Sequence, residues 1–193
     1  MRGDPEEQPR EEVGEGVSED EEQLAERARQ QELLEACFAD PEQAKSLLER
    51  CPDLVHCRDT VGETAFHYVV VEDRIDLAEL LLAAGSNLNS QTRFGSTPLM
   101  DAVQSGYLDM TRWLIGKGAD LAPKDLLEET ALVKATENAR APLFDFLIGL
   151  PRTHPIDFYY DDLSARRVHD DKDLVMRDRL LQLGLTSRFE GSI

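Results

Sequence analysis

Apolar residues in this chain come in short runs at helical spacing, divided by polar stretches of fixed length. In "TPLMDAVQSG" (97–106), Leu99, Ala102 and Val103 share one face of a helix, and Thr97 and Pro98 supply a side-chain cap and a first position that needs no N–H. Gly106 permits the turn that stops it. "YLDMTRWLIGKG" (107–118) then repeats the pattern with Leu108, Met110, Trp113, Leu114 and Ile115, closed by Gly116 and Gly118. The following "ADLAPKDLLEE" is too short and polar for a third helix and predicts an extended, hairpin-like finger. Helix, turn, helix, finger is therefore the predicted unit.

The unit recurs every 33 residues. Thr64, Thr97 and Thr130 fall in one column, and Ala36, Val69, Ala102 and Ala135 in another. Leu47, Leu80, Trp113 and Phe146 form a third, and Leu48, Leu81, Leu114, Leu147 and Leu180 a fourth. Pro52, Gly85, Gly118, Pro151 and Gly184 close each row. No row can bury its apolar stripe alone, so the rows must stack.

"ETAFHYVV" (63–70), "STPLMDAV" (96–103) and "ETALVKAT" (129–136), with the closings "LLLAAGSNLN" (80–89) and "LIGKGADLA" (114–122), resemble the ankyrin repeat over about residues 31–158. The resemblance implies a mainly all-α protein, an α-solenoid of about four stacked repeats with a degenerate C-terminal capping unit. The expected rows lie near 31–63, 64–96, 97–129 and 130–158, with a leading helix from about 18 that either begins the first row or caps it. Residues 1–17 form an acidic tail expected to be disordered, 159–184 a degenerate fifth unit or cap, and 185–193 a second tail. The first row departs from the pattern, with Gln31 in the threonine column, and the last rows lose glycines at Ala139 and Pro151. Terminal repeats must show one polar face to water, so such fraying is expected.

Ankyrin proteins meet partners with the finger tips and the concave face of the first helices. Carried over position by position, this implies Thr60, Val61, Glu63, Val71 and Glu72 in the second row. The third row gives Arg93, Phe94, Ser96, Gln104, Ser105 and Tyr107, and the fourth Leu126, Leu127, Glu129, Glu137 and Asn138. Val61, Phe94, Leu127 and Tyr160 also stand 33 apart at the tips, where polar residues would be expected. Either these tips form an apolar patch for another protein, or they pack on each other or beneath "DFYYDD" (157–162). Asn89 matches a finger position that is hydroxylated in some ankyrin proteins, and it equally suits bonding to the finger backbone.

Charge narrows the partner. The formal net charge is −18, and residues 1–30 hold eleven acidic against four basic side chains. Such a surface repels phosphates, which argues against nucleic acid, and it either attracts a basic protein or simply keeps the chain soluble. One alternative is an acidic mimic that fills the basic site of a nucleic-acid-binding protein. No apolar run reaches membrane-spanning length, and the acidic N-terminus has no signal-peptide core, so a cytoplasmic monomer is expected.

Candidate chemistry is sparse. Cys37, Cys51 and Cys57 lack metal-ligand spacing, and His56, His154 and His169 share no helical face. His67 fills a repeat position, where its imidazole would link neighbouring fingers. "LLEACFA" puts Cys37 on an apolar face that would raise its pKa rather than activate it. No nucleophile elbow or phosphate loop is present. The expectation is a non-catalytic module without cofactor or metal; a site hidden in the last 35 residues is the remaining enzymatic alternative.

Overall fold

The computed structural model describes residues 19–137 and 141–150. Asn138, Tyr160, "DFYYDD" and the proposed tails and fifth unit lie outside the described residues. The chain forms helix pairs α1 (Glu19–Ala39) and α2 (Pro41–Arg50), α3 (Ala65–Val71) and α4 (Ile75–Ala83), α5 (Pro98–Ser105) and α6 (Leu108–Gly116), and α7 (Ala131–Glu137) and α8 (Ala141–Ile148). The described part is a mainly helical stack, with one isolated antiparallel bridge, Arg58 to Thr64, inside a finger.

Caps set these boundaries. Thr97 Oγ1 accepts from the Met100 amide at 3.3 Å with Pro98 opening α5, and Thr130 Oγ1 accepts from Val133 at 3.4 Å ahead of α7. Before α3 the Thr64 amide donates to His67 Nδ1 at 3.1 Å. Gly106, left-handed at φ 88°, ends α5 and lets the Tyr107 amide reach back to Ala102. Asp73 stands 33 residues earlier in the same conformation at φ 53°, so the turn survives there without its glycine.

Two departures mark the first row. α1 runs unbroken for 21 residues, because nothing in it replaces the Thr-Pro break; the leading helix and the first repeat helix are one element. Pro52 cannot adopt the positive φ of Gly85 and Gly118, and a short 3-10 turn, Pro52–His56, closes the row instead.

The first helices α3, α5 and α7 stack in succession, and each packs on the second helix of its own pair. One continuous core runs from Leu33 to Leu147. Leu48, Leu81, Leu114 and Leu147 are all buried, each side chain contributing about 1.5–3 kcal/mol. Phe66 of α3 lies 6.4 Å from Trp113 of α6, joining adjacent pairs through a tilted aromatic contact. Trp113 is thus a packing residue, half-buried against the core.

Candidate binding surface

Three fingers precede α3, α5 and α7, at residues 57–64, 90–97 and 123–130. One device builds all three tips. Asp59 Oδ1 accepts from the amides of Val61 and Glu63 at 2.9 and 2.8 Å. Thr92 Oγ1 accepts from Phe94 and Ser96, both at 3.2 Å. Asp125 Oδ1 accepts from Leu127 and Glu129, both at 2.9 Å. A short side chain that satisfies the amides two and four residues ahead bends the chain tightly and turns the residues between them outward.

Successive fingers are laced together. The Arg93 amide donates to the Val61 carbonyl and the Leu126 amide to Phe94, both at 2.8 Å. Arg58 Nη1 reaches the Gln91 carbonyl at 2.9 Å, and Gln91 Nε2 the Lys124 carbonyl at 3.3 Å. Asn89 Oδ1 accepts from the Asp120 amide at 2.9 Å, so its side chain bonds the backbone of the segment that leads from α6 into the next finger. His67 Nε2 faces the backbone of Ser90 and Ser96 in the next finger without reaching hydrogen-bond geometry; burial lowers its pKa to about 4.

On this frame the expected tip residues separate. Phe94 is 59% exposed, Leu126 71% and Leu127 63%. Thr60, Arg93, Gln104, Val71 and Glu72 also face solvent. Val61, Ser96, Ser105, Glu63 and Tyr107 are half-buried, so Val61 is the weakest member of the apolar tip column. Glu137 ends α7. Glu129 needs correcting as a contact residue. It is 1% exposed and accepts from Lys134 Nζ at 3.3 Å, so it is spent on the fold.

Sequence reasoning missed a polar corner between each finger and its first helix. Tyr68, Asp101 and Lys134 stand 33 apart on α3, α5 and α7, and each turns to its own finger. Tyr68 donates to Asp59 Oδ2 at 2.9 Å, and Asp101 Oδ1 accepts from Ser96 Oγ at 2.6 Å. Lys134 Nζ lies 2.6 Å from Asp125 Oδ2. The signal was available as two columns, Asp59, Thr92 and Asp125 in the fingers and Tyr68, Asp101 and Lys134 in the first helices, that keep a polar group in every row. Burial pushes Asp101 up to about 6, with the nearby Glu63 charge adding and the Ser96 bond and Lys134 opposing. Glu63 is also raised, first by burial and then by Asp59.

Asp101 makes stability pH-dependent in a definite direction. Its carboxyl holds its proton to about pH 6 when folded and loses it near 3.8 when unfolded, so stability falls as pH rises through that window. Asp101→Asn keeps the acceptor for Ser96 and removes the charge. The variant is expected to gain about 2 kcal/mol at pH 7 and nothing at pH 3.5, measured by urea unfolding at both values. Equal effects at the two pH values would show that the carboxylate is not the cause.

Classical nucleophile chemistry finds no support at the thiols. Burial raises Cys37 to about 11 and also raises Cys57, which disfavours the reactive thiolate. Among the described residues no group of three or more histidines, cysteines and carboxylates is placed to hold a metal ion. No described helix is long and apolar enough to cross a membrane.

Comparison with known proteins finds the family described as ankyrin repeats (3 copies) over residues 33–125. The chain is 31% identical over 93 residues to the ankyrin repeat and KH domain-containing protein mask of Drosophila melanogaster, covering 47% of this chain and 2% of that protein. It is 39% identical over 92 residues to ankyrin repeat and KH domain-containing protein 1 of Homo sapiens, 47% of this chain and 4% of the relative. A 58-residue segment is 41% identical to the serine/threonine-protein kinase VIK of Arabidopsis thaliana, covering 30% of this chain and 13% of the kinase. The chain thus spans a small fraction of each of these relatives.

Proposed function

Since the chain is an ankyrin-repeat protein, we propose that it is a non-catalytic binding module that recognises another protein through its finger tips and the concave face of α3, α5 and α7. The observation that carries this reading is the exposure of Phe94, Leu126 and Leu127 on tips whose amides are held by hydrogen bonds. Large apolar side chains carried on a backbone that is already bonded lose less entropy on binding than those on an unbonded loop, and their burial gains transfer energy. An adaptor, inhibitor or assembly role would follow from what the partner does. The three free cysteines fit a reducing cytosol, and a monomeric module leaves the tips open.

The test is capture from the native source with wild type and Phe94→Ala, followed by affinity measurement on the recovered partner. Truncating the ring should weaken binding roughly thirtyfold, the size of a hot-spot loss, and leave the melting temperature within about 2 °C. Unchanged affinity with a large stability loss would make the ring part of the core and remove the reading. Salt separates the acidic-mimic alternative, which draws on the net charge of −18. Affinity that collapses with ionic strength favours the mimic, and near-indifference favours the apolar tips.

A further inference from the structure

Each finger turns at its tip in the same way. The amides of Gly62, Gly95 and Glu128 donate to the carbonyls of Asp59, Thr92 and Asp125, all at 3.0 Å. All three turn residues are left-handed, with φ of 84°, 81° and 61°. In the first two fingers that residue is a glycine, and the backbone of the next finger lies against it. A Cβ on Gly62 would sit 2.9 Å from the Arg93 nitrogen, and one on Gly95 2.8 Å from Asp125 Cα. These approaches accompany the bonds between fingers, from the Arg93 amide to Val61 and from the Leu126 amide to Phe94, both at 2.8 Å. Glycine at the turn thus lets one finger receive the next.

The third finger breaks this rule. Leu127 stands in the column of Val61 and Phe94, and among the described residues no amide donates to its carbonyl. Beside it, Glu128 holds the turn column with a full side chain at φ 61°. Left-handed backbone is costly for such a residue and persists where the surroundings require it. The Glu128 carboxylate pairs with Lys124 Nζ at 3.1 Å, but it is 70% exposed, and a surface pair of this kind is too weak to impose the strain. What the side chain changes is access. In the geometry of the first two fingers, its Cβ fills the place where an incoming backbone would lie, while Leu126 and Leu127 stay exposed beside it. Open backbone edges are commonly blocked by such devices.

We propose that Glu128 is a stop that ends the backbone pairing of the fingers, so that the third tip meets a partner through the side chains of Leu126 and Leu127 alone. The proposal rests on the reading that the fingers bind protein, and it adds the mode of contact. The partner presents apolar side chains to these leucines and adds no strand to the row. The same stop keeps the tip of a second copy of this chain from pairing there through its backbone. The Cβ acts as the barrier, and the charge of the carboxylate is secondary.

NMR on the full chain tests it through scalar couplings that cross hydrogen bonds. Those from Arg93 to Val61 and from Leu126 to Phe94 should be present in every variant, which shows that the fingers are folded. The probe is a capped five-residue peptide with leucine then phenylalanine at its centre. In the wild type the Leu127 carbonyl should couple to no amide, with or without the peptide. In Glu128→Gly a coupling to Leu127 should appear, and whether the donor is the peptide, a second copy or the chain itself, it supports the stop. Where the peptide is the donor, it should bind this variant roughly tenfold tighter than the wild type. Glu128→Ala should behave as the wild type does, since it keeps the Cβ and loses only the charge. A coupling at Leu127 in the wild type, its absence in Glu128→Gly, or its appearance in Glu128→Ala overturns the stop. The finger reading is decided separately by partner capture with Phe94→Ala, which does not involve the Leu127 carbonyl.

Discussion

Lys134→Met is expected to lower the stability of the stack by about 3–5 kcal/mol, the cost of stripping the cation from buried carboxylates. Lys134 is 8% exposed and Glu129 1%, so water cannot replace the ammonium. Burial alone would raise Asp125; the hydrogen bonds from Lys134 and from the Glu129 and Leu127 backbone outweigh it and hold the carboxyl below its ordinary value. Methionine keeps most of the apolar stem, so the loss reports charge rather than volume. Urea unfolding at pH 7 gives the size. Two further signs identify the cause. The deficit should shrink as pH falls and the orphaned carboxylates take up protons, and Glu129→Gln added to Lys134→Met should restore part of it. A loss below about 1 kcal/mol would mean that the cluster is solvated and contributes as a surface pair does.

Gly95→Ala is the second large effect, expected at about 2–4 kcal/mol. Its φ of 81° is left-handed, and an added Cβ would sit 2.8 Å from Asp125 Cα and 2.9 Å from the Lys124 carbonyl oxygen. Those are backbone atoms of the next finger, so the finger must move, which threatens the Leu126 to Phe94 bond. Gly85 provides the control: φ is 102°, and nothing lies within 4 Å of its virtual Cβ, so Gly85→Ala should cost the conformational part alone. Glu128 holds the same column as Gly95 at φ 61°, and Glu128→Gly should raise stability by about 0.5–1 kcal/mol. Thermal unfolding of the three variants separates backbone strain from finger contact. Similar losses for Gly95→Ala and Gly85→Ala would show that the fingers do not press on one another.

Much of the architecture could be read from residue order because the repeat makes each apolar column a restatement of the same burial. Leu48, Leu81, Leu114 and Leu147 were legible as core without coordinates, as were the Thr97 cap and the Gly106 turn. The exposed rim was harder. Phe94 and Leu127 read correctly as outward tips, yet Glu129 occupies a rim position by register and is buried by Lys134. Position in a repeat gives direction from the backbone, whereas exposure depends on whether a neighbouring side chain reaches over.

By itself, the sequence determined that this chain stacks 33-residue helical units. Periodicity carries that information, since helix caps, turn glycines and apolar faces act within a few residues of one another. Tertiary structure alone decided which carboxylates own a cation. Asp59 and Glu63 come from the first finger and Asp101 from α5, whereas Asp125 and Glu129 come from the third finger and Lys134 from α7. Charge pairing acts through space at a few ångströms, a separation that order along the chain does not encode.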